Sequence, residues 1–405
     1  MKAAFLFLFL TIGCVVFAQE KKAPYVVLVS FDGFRHDYVS KFDPPNFKKF
    51  IRKGTAARAL IPSFPSKTFP NHYTLVTGLY PGHHGLVDNQ FYDPEQKKLY
   101  GMKDRTSALD PSFYGGTPLW QLVQQHGMHA ASFFWVGSEV PINGSLPDYY
   151  FKYNEATPNV DRVDQTIAWL KLPEKERPHF ISLYFSLIDT QGHHTGTNST
   201  EIQRAVWKAD SLLGYLTKSI AGIDLPVNVI IVSDHGMLEL KQGEQSYVTL
   251  GKLFNIADTS VVYVNGGTQA HLYTRKADSL YTVLKKQEDH FRIYKRKMFP
   301  AQWHYDNNRS GDLLLVADRG YYIQPTSRSW EKNLQGPVFG VHGYDPSVVP
   351  EMRGIFYAMG PNIKTGRTIE PFSNIHVYPF IAKILGLTIP SIDGDVKVLE
   401  DIYKE

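Results

Sequence analysis

Three runs of apolar, largely β-branched residues most constrain how this chain can fold. They are YVVLVSF (Tyr25–Phe31), HFISLYFSLI (residues 179–188) and VNVIIVS (residues 227–233). Each run is almost continuously hydrophobic, whereas a strand with one solvated face alternates apolar and polar positions. The runs therefore predict neighbouring strands of a parallel sheet that is covered on both faces.

Two segments between these runs have helical periodicity. The recurring apolar positions are Val160, Val163, Ile167 and Leu170 in NVDRVDQTIAWLKL, and Ile202, Val206, Leu212 and Leu216 in EIQRAVWKADSLLGYLTKSI. Strands that alternate with helices predict an α/β fold with a doubly wound, mostly parallel sheet and helices on both faces. From about residue 240 to residue 336 the chain becomes polar and aromatic, which we interpret as a small inserted subdomain within one domain of residues 19–405.

Residues 1–18 predict a cleaved signal peptide. Lys2 precedes an apolar run that ends in small residues at position 18. Cys14 lies in this run, and the surrounding TIGC is an imperfect lipobox, so a lipid anchor at Cys14 is the alternative. Either outcome predicts a secreted or periplasmic protein. No other segment is apolar for long enough to span a bilayer.

Composition narrows the chemistry further. The net charge is +4 without a long block of like charge, so a nucleic-acid-binding patch is not predicted. Cys14 is the single cysteine. After cleavage the mature chain would have no thiolate chemistry, and any zinc ligands would be histidines and carboxylates.

Each predicted strand is followed by acidic residues or histidines and then by glycine. Asp32 follows the first strand, Asp189 and His193 follow the second, and Asp234 and His235 follow the third. Ligands of open parallel sheets bind at the carboxyl ends of the strands, so the three endings predict one shared site.

With His342 from VHGYDP, these residues provide six oxygen and nitrogen ligands, which suit two divalent ions. Asp189 and His193 lie four residues apart, across a predicted glycine-containing turn. We assign these two residues and His342 to one ion. The remaining three ligands, Asp32, Asp234 and His235, are assigned to the other.

Thr68 in FPSKTFPNHYTLVTG lies at the start of a predicted helix that ends at Gly78. A helix N-terminus favours an anion. In isolation Thr68 would be a simple helix cap. Next to two metal ions it is better interpreted as a nucleophile that attacks phosphorus and forms a covalent phospho-threonine.

The motifs FPSKTFPNHYTLVTGLYPGHHGLVDNQFYDP, FWVGSEVPING, DTQGHHTG, SDHGM and VHGYDP together resemble the nucleotide pyrophosphatase/phosphodiesterase family of the alkaline phosphatase superfamily. The resemblance covers nearly the whole mature chain. It implies an alkaline phosphatase-like fold, two Zn²⁺ ions and a threonine nucleophile that matches Thr68. It also implies that Asn89 donates a hydrogen bond to a phosphate oxygen in the transition state.

In nucleotide-hydrolysing members of that family, aromatic side chains hold the base. The resemblance implies this role for Phe69, Tyr153 and Tyr184, with Trp135 as a weaker candidate, although Phe69 and Tyr184 would also suit the core. Two departures from the family pattern, Leu-Ile before Asp189 and HTGTN after His193, lie beside this region and leave the substrate less defined than the reaction.

The sequence therefore predicts a phosphodiesterase that cleaves small-molecule nucleotides at the α-phosphate. Aromatic cages also bind choline, so a diesterase for lipid headgroups is an alternative. A phosphomonoesterase on the same scaffold is a second alternative, although Thr68 and Asn89 favour diesters. The Cys/Ser-x-Pro-x-Arg motif of sulfatases is absent.

Overall fold

A computed structural model describes residues 24–243, 246–326 and 337–405 of the 405-residue chain. The predicted signal peptide, including Cys14, lies outside the described residues.

The strands of the described residues are β1 (Tyr25–Phe31), β2 (Thr55–Ala57), β3 (Leu60–Ile61), β4 (Gln90–Asp93), β5 (Lys98–Gly101), β6 (His129–Phe133), β7 (Tyr149–Phe151), β8 (Pro178–Phe185), β9 (Val227–Val232), β10 (Leu238–Lys241), β11 (Tyr247–Thr249), β12 (Val262–Asn265), β13 (Gln269–Tyr273), β14 (Phe291–Lys295), β15 (Leu313–Ala317), β16 (Tyr322–Gln324), β17 (Val338–Val341), β18 (Phe356–Met359), β19 (Arg367–Ile369) and β20 (Phe372–Ser373). The α-helices are α1 (Tyr38–Phe42), α2 (Pro45–Lys53), α3 (Thr68–Thr77), α4 (Pro81–His84), α5 (Arg105–Ala108), α6 (Leu119–Gln125), α7 (Asn159–Leu170), α8 (Leu187–Thr195), α9 (Thr200–Ala221), α10 (Leu250–Leu253), α11 (Ala277–Lys285) and α12 (Val377–Leu385).

The main sheet contains eight strands in the order β19-β2-β18-β9-β1-β8-β6-β7. Every neighbouring pair is parallel except the two that involve β18, which runs antiparallel to both β9 and β2. The three predicted strands are the central neighbours β9, β1 and β8. The mostly parallel α/β sheet is therefore confirmed.

Helices cover both faces of this sheet. Alternate residues of β1 point into different cores: Val26 and Leu28 pack with α3, α6 and α12, whereas Val27 and Val29 pack with α2, α7 and α9. Both faces are thus dry, which explains the uninterrupted hydrophobic run, because each buried aliphatic side chain stabilises the fold by about 1.5–3 kcal/mol.

Two predicted details of these elements are wrong. The second strand ends at Phe185 rather than at residue 188, because α8 begins at Leu187. Val160, assigned to the buried face of its helix, lies in the first turn of α7 and is 48% exposed. The other three apolar residues of that helix face are buried as predicted.

A second, antiparallel sheet in the order β12-β13-β15-β14 lies inside the segment for which the sequence predicts an insertion. Leu313 and Leu315 of β15 face a separate core, while Leu314 and Val316 pack into the core that contains α3. The second sheet is therefore packed firmly against the main domain. Its predicted limits, residues 240 and 336, stay a prediction.

No helix within the described residues combines the length and the apolar character that crossing a bilayer requires.

Asp210 of α9 links this helix to α2, and a substitution there tests how much the link stabilises the fold. Its buried carboxylate accepts hydrogen bonds from Phe47 N at 2.8 Å and Asn46 Nδ2 at 2.7 Å in the first turn of α2. We expect Asp210→Ala to lower the free energy of unfolding in urea by about 1–3 kcal/mol, since it leaves a buried N–H unpaired. The exposed Asp164, which accepts from Tyr215, is the control. Equal destabilisation by Asp164→Ala would contradict this explanation.

Candidate active site

Three aspartates meet at the carboxyl edge of the main sheet. Asp32 follows β1, Asp234 lies two residues beyond β9, and Asp189 lies in the first turn of α8. The backbone brings them together directly, because Asp189 N donates to Asp32 O at 3.0 Å. Gly33 makes this approach possible: its φ is +69°, and a Cβ there would lie 2.8 Å from the Cα of Asp189.

Asp189 and His193 lie four residues apart on α8, not across a turn as the sequence suggested. His193 Nε2 is 3.4 Å from Asp189 Oδ1. Gly192, which suggested the turn, lies inside this helix. The helix packs closely on β17: a Cβ on the facing Gly340 would lie 2.4 Å from Gly192 O, so a glycine is required at position 340.

The three histidines are oriented in the same way. In each ring Nδ1 faces a backbone carbonyl: His193 faces Gly340 O at 2.8 Å, His235 faces Gly236 O at 2.9 Å and His342 faces Ser66 O at 2.8 Å. A carbonyl only accepts, so Nδ1 carries the proton in each case. Nε2 is then the ring atom that faces the cluster, which is the orientation typical of metal-binding histidines.

These Nε2 atoms face carboxylates. His235 Nε2 is 3.0 Å from Asp234 Oδ2 and 3.5 Å from Asp32 Oδ1, and these residues form one compact group of possible ligands. His342 Nε2 is 3.8 Å from Asp189 Oδ1, and these two residues form a second group with His235. His193 adjoins the second group through Asp189. All six predicted ligands are thus brought together.

The residues fit a metal ion because three of their buried carboxylate oxygens have no hydrogen-bond partner. Asp32 Oδ1, Asp189 Oδ1 and Asp234 Oδ2 are buried without a hydrogen-bond partner. Burial raises the pKa of Asp32 well above its usual range, and the charges of Asp234 and Asp189 raise it further. Unpaired buried charge is costly, and a bound cation would offset this cost.

The histidines differ in their protonation. Burial lowers the pKa of His342 well below its usual value, so its ring stays neutral. Burial also acts to lower the pKa of His235, but the charge of Asp234 raises it overall. A proton therefore competes with a cation for the Nε2 atom of His235.

Thr68 is the first residue of α3, and Gly78 ends this helix in the left-handed conformation, as the sequence predicts. Thr68 Oγ1 lies 3.2 Å from His235 Nε2. The hydroxyl thus lies at the boundary between a helix N-terminus and the aspartate–histidine cluster. The helix N-terminus favours an anionic group at this position.

Asn89 lies next to this helix N-terminus. Its Oδ1 accepts a hydrogen bond from Phe69 N at 2.9 Å. Because Oδ1 is engaged, the Nδ2 group remains available to donate. A substrate oxygen near Thr68 would therefore meet an N–H donor from Asn89.

A cleft of about 430 Å³ opens beside Thr68 and Asp32. The four predicted aromatic residues all line it, and they differ in exposure: Tyr153 is 40% exposed, Phe69 is partly buried, and Tyr184 and Trp135 are buried. Tyr184 donates from its hydroxyl to Asp32 Oδ2 at 2.7 Å. Tyr184 thus supports a predicted metal ligand in addition to forming the cleft wall.

Two residues near the site were missed or placed wrongly by sequence reasoning. His72 approaches Thr68 O at 2.9 Å and Asp234 Oδ2 at 3.3 Å; its position four residues after Thr68 was the available signal. Lys67 is buried. Its Nζ donates to Gly266 O at 2.7 Å and to His342 O at 3.0 Å.

Comparison with known proteins identifies the family. The family model "Type I phosphodiesterase / nucleotide pyrophosphatase" matches residues 26–345. Ectonucleotide pyrophosphatase/phosphodiesterase family member 1 of Mus musculus is 34% identical over 406 residues, which cover 95% of this chain and 43% of the relative. Venom phosphodiesterase of Macrovipera lebetinus is 36% identical over 390 residues, with coverages of 94% and 45%. The chain thus spans less than half the length of these curated relatives.

Solved structures agree. An inactive threonine-to-alanine variant of murine ectonucleotide pyrophosphatase/phosphodiesterase 5, in complex with AMP, matches with a TM-score of 0.86 at 31% identity, covering 94% of this chain and 100% of that chain. The human protein of the same name matches with a TM-score of 0.86 at 30% identity, with the same coverages. The chain belongs to the type I phosphodiesterase / nucleotide pyrophosphatase family, which confirms the resemblance.

The unpaired carboxylate oxygens generate a prediction about stability. With a chelator present, we expect Asp32→Asn to unfold at the same temperature as the wild type or a higher one, because it removes a buried charge and Tyr184 can still donate to it. With Zn²⁺ added, the wild type should gain more in melting temperature than the variant. Thermal unfolding of both proteins under both conditions measures this. Equal gains would contradict a cation site that includes Asp32.

Proposed function

We propose that this member of the type I phosphodiesterase / nucleotide pyrophosphatase family hydrolyses nucleotides at the α-phosphate and releases a nucleoside monophosphate. One observation carries the proposal: the Thr68 hydroxyl lies 3.2 Å from His235 Nε2, at a helix N-terminus that opens into the cleft. A nucleophile, a set of metal ligands and a donor for phosphate oxygens are thereby combined at one point.

The six ligands suit two Zn²⁺ ions, since they provide only nitrogen and oxygen donors. Asp32, Asp234 and His235 would hold one ion, next to Thr68. Asp189, His193 and His342 would hold the other. Bound zinc would neutralise phosphoryl charge and favour ionisation of the threonine hydroxyl.

The residues of the chain perform the steps around this centre. Thr68 Oγ1, after losing its proton to solvent, attacks the α-phosphorus as the bond to the pyrophosphate oxygen breaks. The nucleoside monophosphate is then joined to Thr68 through its phosphorus as a covalent phospho-threonine, and water hydrolyses this bond and releases the nucleoside monophosphate. Asn89 Nδ2 donates to the non-bridging oxygen on which charge develops. The N-terminus of α3 adds a favourable dipole at the same oxygens.

The aromatic residues of the cleft suit a nucleoside. Phe69 and the half-exposed Tyr153 line it together. Stacking of a base on an aromatic ring contributes about 1–3 kcal/mol and tolerates any base. The AMP complex of the murine relative, obtained with an inactive threonine-to-alanine variant, supports both the nucleotide and the nucleophile.

The same cleft favours a second candidate, a diesterase for choline-bearing lipid headgroups. Glu155 lines it beside Tyr153, and its Oε2 accepts a hydrogen bond from the Tyr153 hydroxyl at 3.2 Å. Carboxylates next to an aromatic face attract a quaternary ammonium group.

We also infer that the protein acts outside the cytoplasm, either secreted or in the periplasm. The relatives are named as an ectonucleotide enzyme and as a venom enzyme, which supports this location.

Thr68→Ala tests the nucleophile. We expect kcat for a nucleotide diester to fall by at least about 10³-fold, because no oxygen remains to attack, while bound zinc stays unchanged. Thr68→Ser keeps an attacking oxygen and should keep measurable turnover. Steady-state rates and metal analysis of the three proteins decide. A fully active alanine variant would overturn the assignment.

A comparison of three substrates tests the reaction class. We expect p-nitrophenyl thymidine 5′-monophosphate to be hydrolysed faster than p-nitrophenyl phosphate or p-nitrophenyl phosphorylcholine. Chelation should abolish this activity and zinc should restore it. A preference for phosphorylcholine would favour the lipid-headgroup candidate, and a preference for the monoester would place the enzyme among phosphomonoesterases.

A further inference from the structure

A buried polar network lies behind Asn89 and apart from the predicted metal ligands. Asp88 is 1% exposed, and its Oδ1 accepts a hydrogen bond from Asn89 N at 2.6 Å. Its Oδ2 accepts from Gln269 Nε2 at 2.5 Å and lies 3.0 Å from His271 Nε2. A buried carboxylate of this kind is retained only when donors surround it.

Both of these donors come from β13 of the second sheet. Gln269 begins the strand and His271 follows on the same face two residues later. His271 Nδ1 faces Ser310 O at 3.1 Å, so both ring nitrogens of His271 face acceptors. The ring is therefore held between Asp88 and the backbone.

The hairpin between β12 and β13 lies close against Asp88. A Cβ on Gly266 would lie 2.5 Å from Asp88 Oδ2, so a glycine is required for the hairpin to reach the carboxylate. Gly266 O also accepts from Lys67 Nζ at 2.7 Å. The hairpin thus contacts the residues directly before both Asn89 and Thr68.

Asn89 is consequently held at two points. Its backbone N–H is held by Asp88, and its side-chain Oδ1 by Phe69 N. Together these two bonds fix the direction of the Nδ2 group relative to Thr68. A donor that is oriented before the reaction stabilises developing charge without reorganisation during it.

We propose that Asp88, Gln269 and His271 are positioning residues that orient Asn89 for transition-state stabilisation. The second sheet thereby becomes part of the catalytic machinery instead of a mere addition to the fold. This inference rests on the proposed role of Asn89 and goes beyond it, because it assigns the residues that make Asn89 effective.

A double-mutant cycle tests the inference. Gln269→Leu is close in size and removes one donor to Asp88, and Asp88→Asn weakens the whole network. Each substitution is made in the wild type and in Asn89→Ala. Tyr273→Phe is the matched control, because it loses buried bonds to Tyr92 N and Arg309 O from the same strand without touching Asp88. Zinc content and thermal unfolding confirm that each protein is folded.

We expect Asn89→Ala to lower kcat for the nucleotide diester by about 10²–10³-fold. Gln269→Leu should lower kcat about 10-fold with KM nearly unchanged, because Asn89 is then less well oriented in the transition state while substrate binding is kept. In the Asn89→Ala background, each of the two network substitutions should lower kcat by less than about 2-fold. Tyr273→Phe should leave kcat unchanged.

Two results would overturn the inference while leaving the proposed function intact. One is that Gln269→Leu and Asp88→Asn each lower kcat by the same factor in the wild type and in Asn89→Ala, which would indicate a general structural effect. The other is unchanged kcat in both network variants while Asn89→Ala is slow. If Asn89→Ala itself turns over normally, the proposed role of Asn89 and this inference fail together.

Discussion

The structure depends on unpaired carboxylate oxygens that face the lone pairs of imidazole rings at one edge of a parallel sheet. Asp32, Asp189 and Asp234 each leave a buried oxygen without a hydrogen-bond donor, and the rings of His235 and His342 present Nε2 to them. Such an arrangement is unfavourable on its own and becomes favourable around a cation. The rest of the fold holds these groups in place against their mutual repulsion.

Three layers of support keep the cluster fixed. Two hydrophobic cores hold the central strands from both faces, so the strand ends cannot separate. Backbone carbonyls fix the rings through Nδ1. The second sheet contacts Lys67 and Asp88, which directly precede Thr68 and Asn89, so a segment outside the main sheet helps to define the positions of these two residues.

The cleft shows how one aromatic residue can serve two purposes. Tyr184 is buried in β8 and forms part of the cleft wall, yet its hydroxyl also bonds Asp32. Tyr153, which is far more exposed, is free to contact a ligand with its ring. The aromatic residues grouped by family resemblance therefore divide into Tyr184, which hydrogen-bonds the predicted metal ligand Asp32, and others that only line the cleft.

Much of this could be predicted from the sequence, because hydrophobic runs such as Tyr25–Phe31 report burial on both faces and strand ends report the edge where ligands gather. The sequence determined the sheet, the helix that begins at Thr68 and the identity of the six possible ligands. Only the tertiary structure decided that Asp189 and His193 share α8, because a glycine such as Gly192 is compatible with both a turn and a helix. The network that joins Asp88 to β13 was likewise invisible, since residues about 180 positions apart meet only after the second sheet packs on the first.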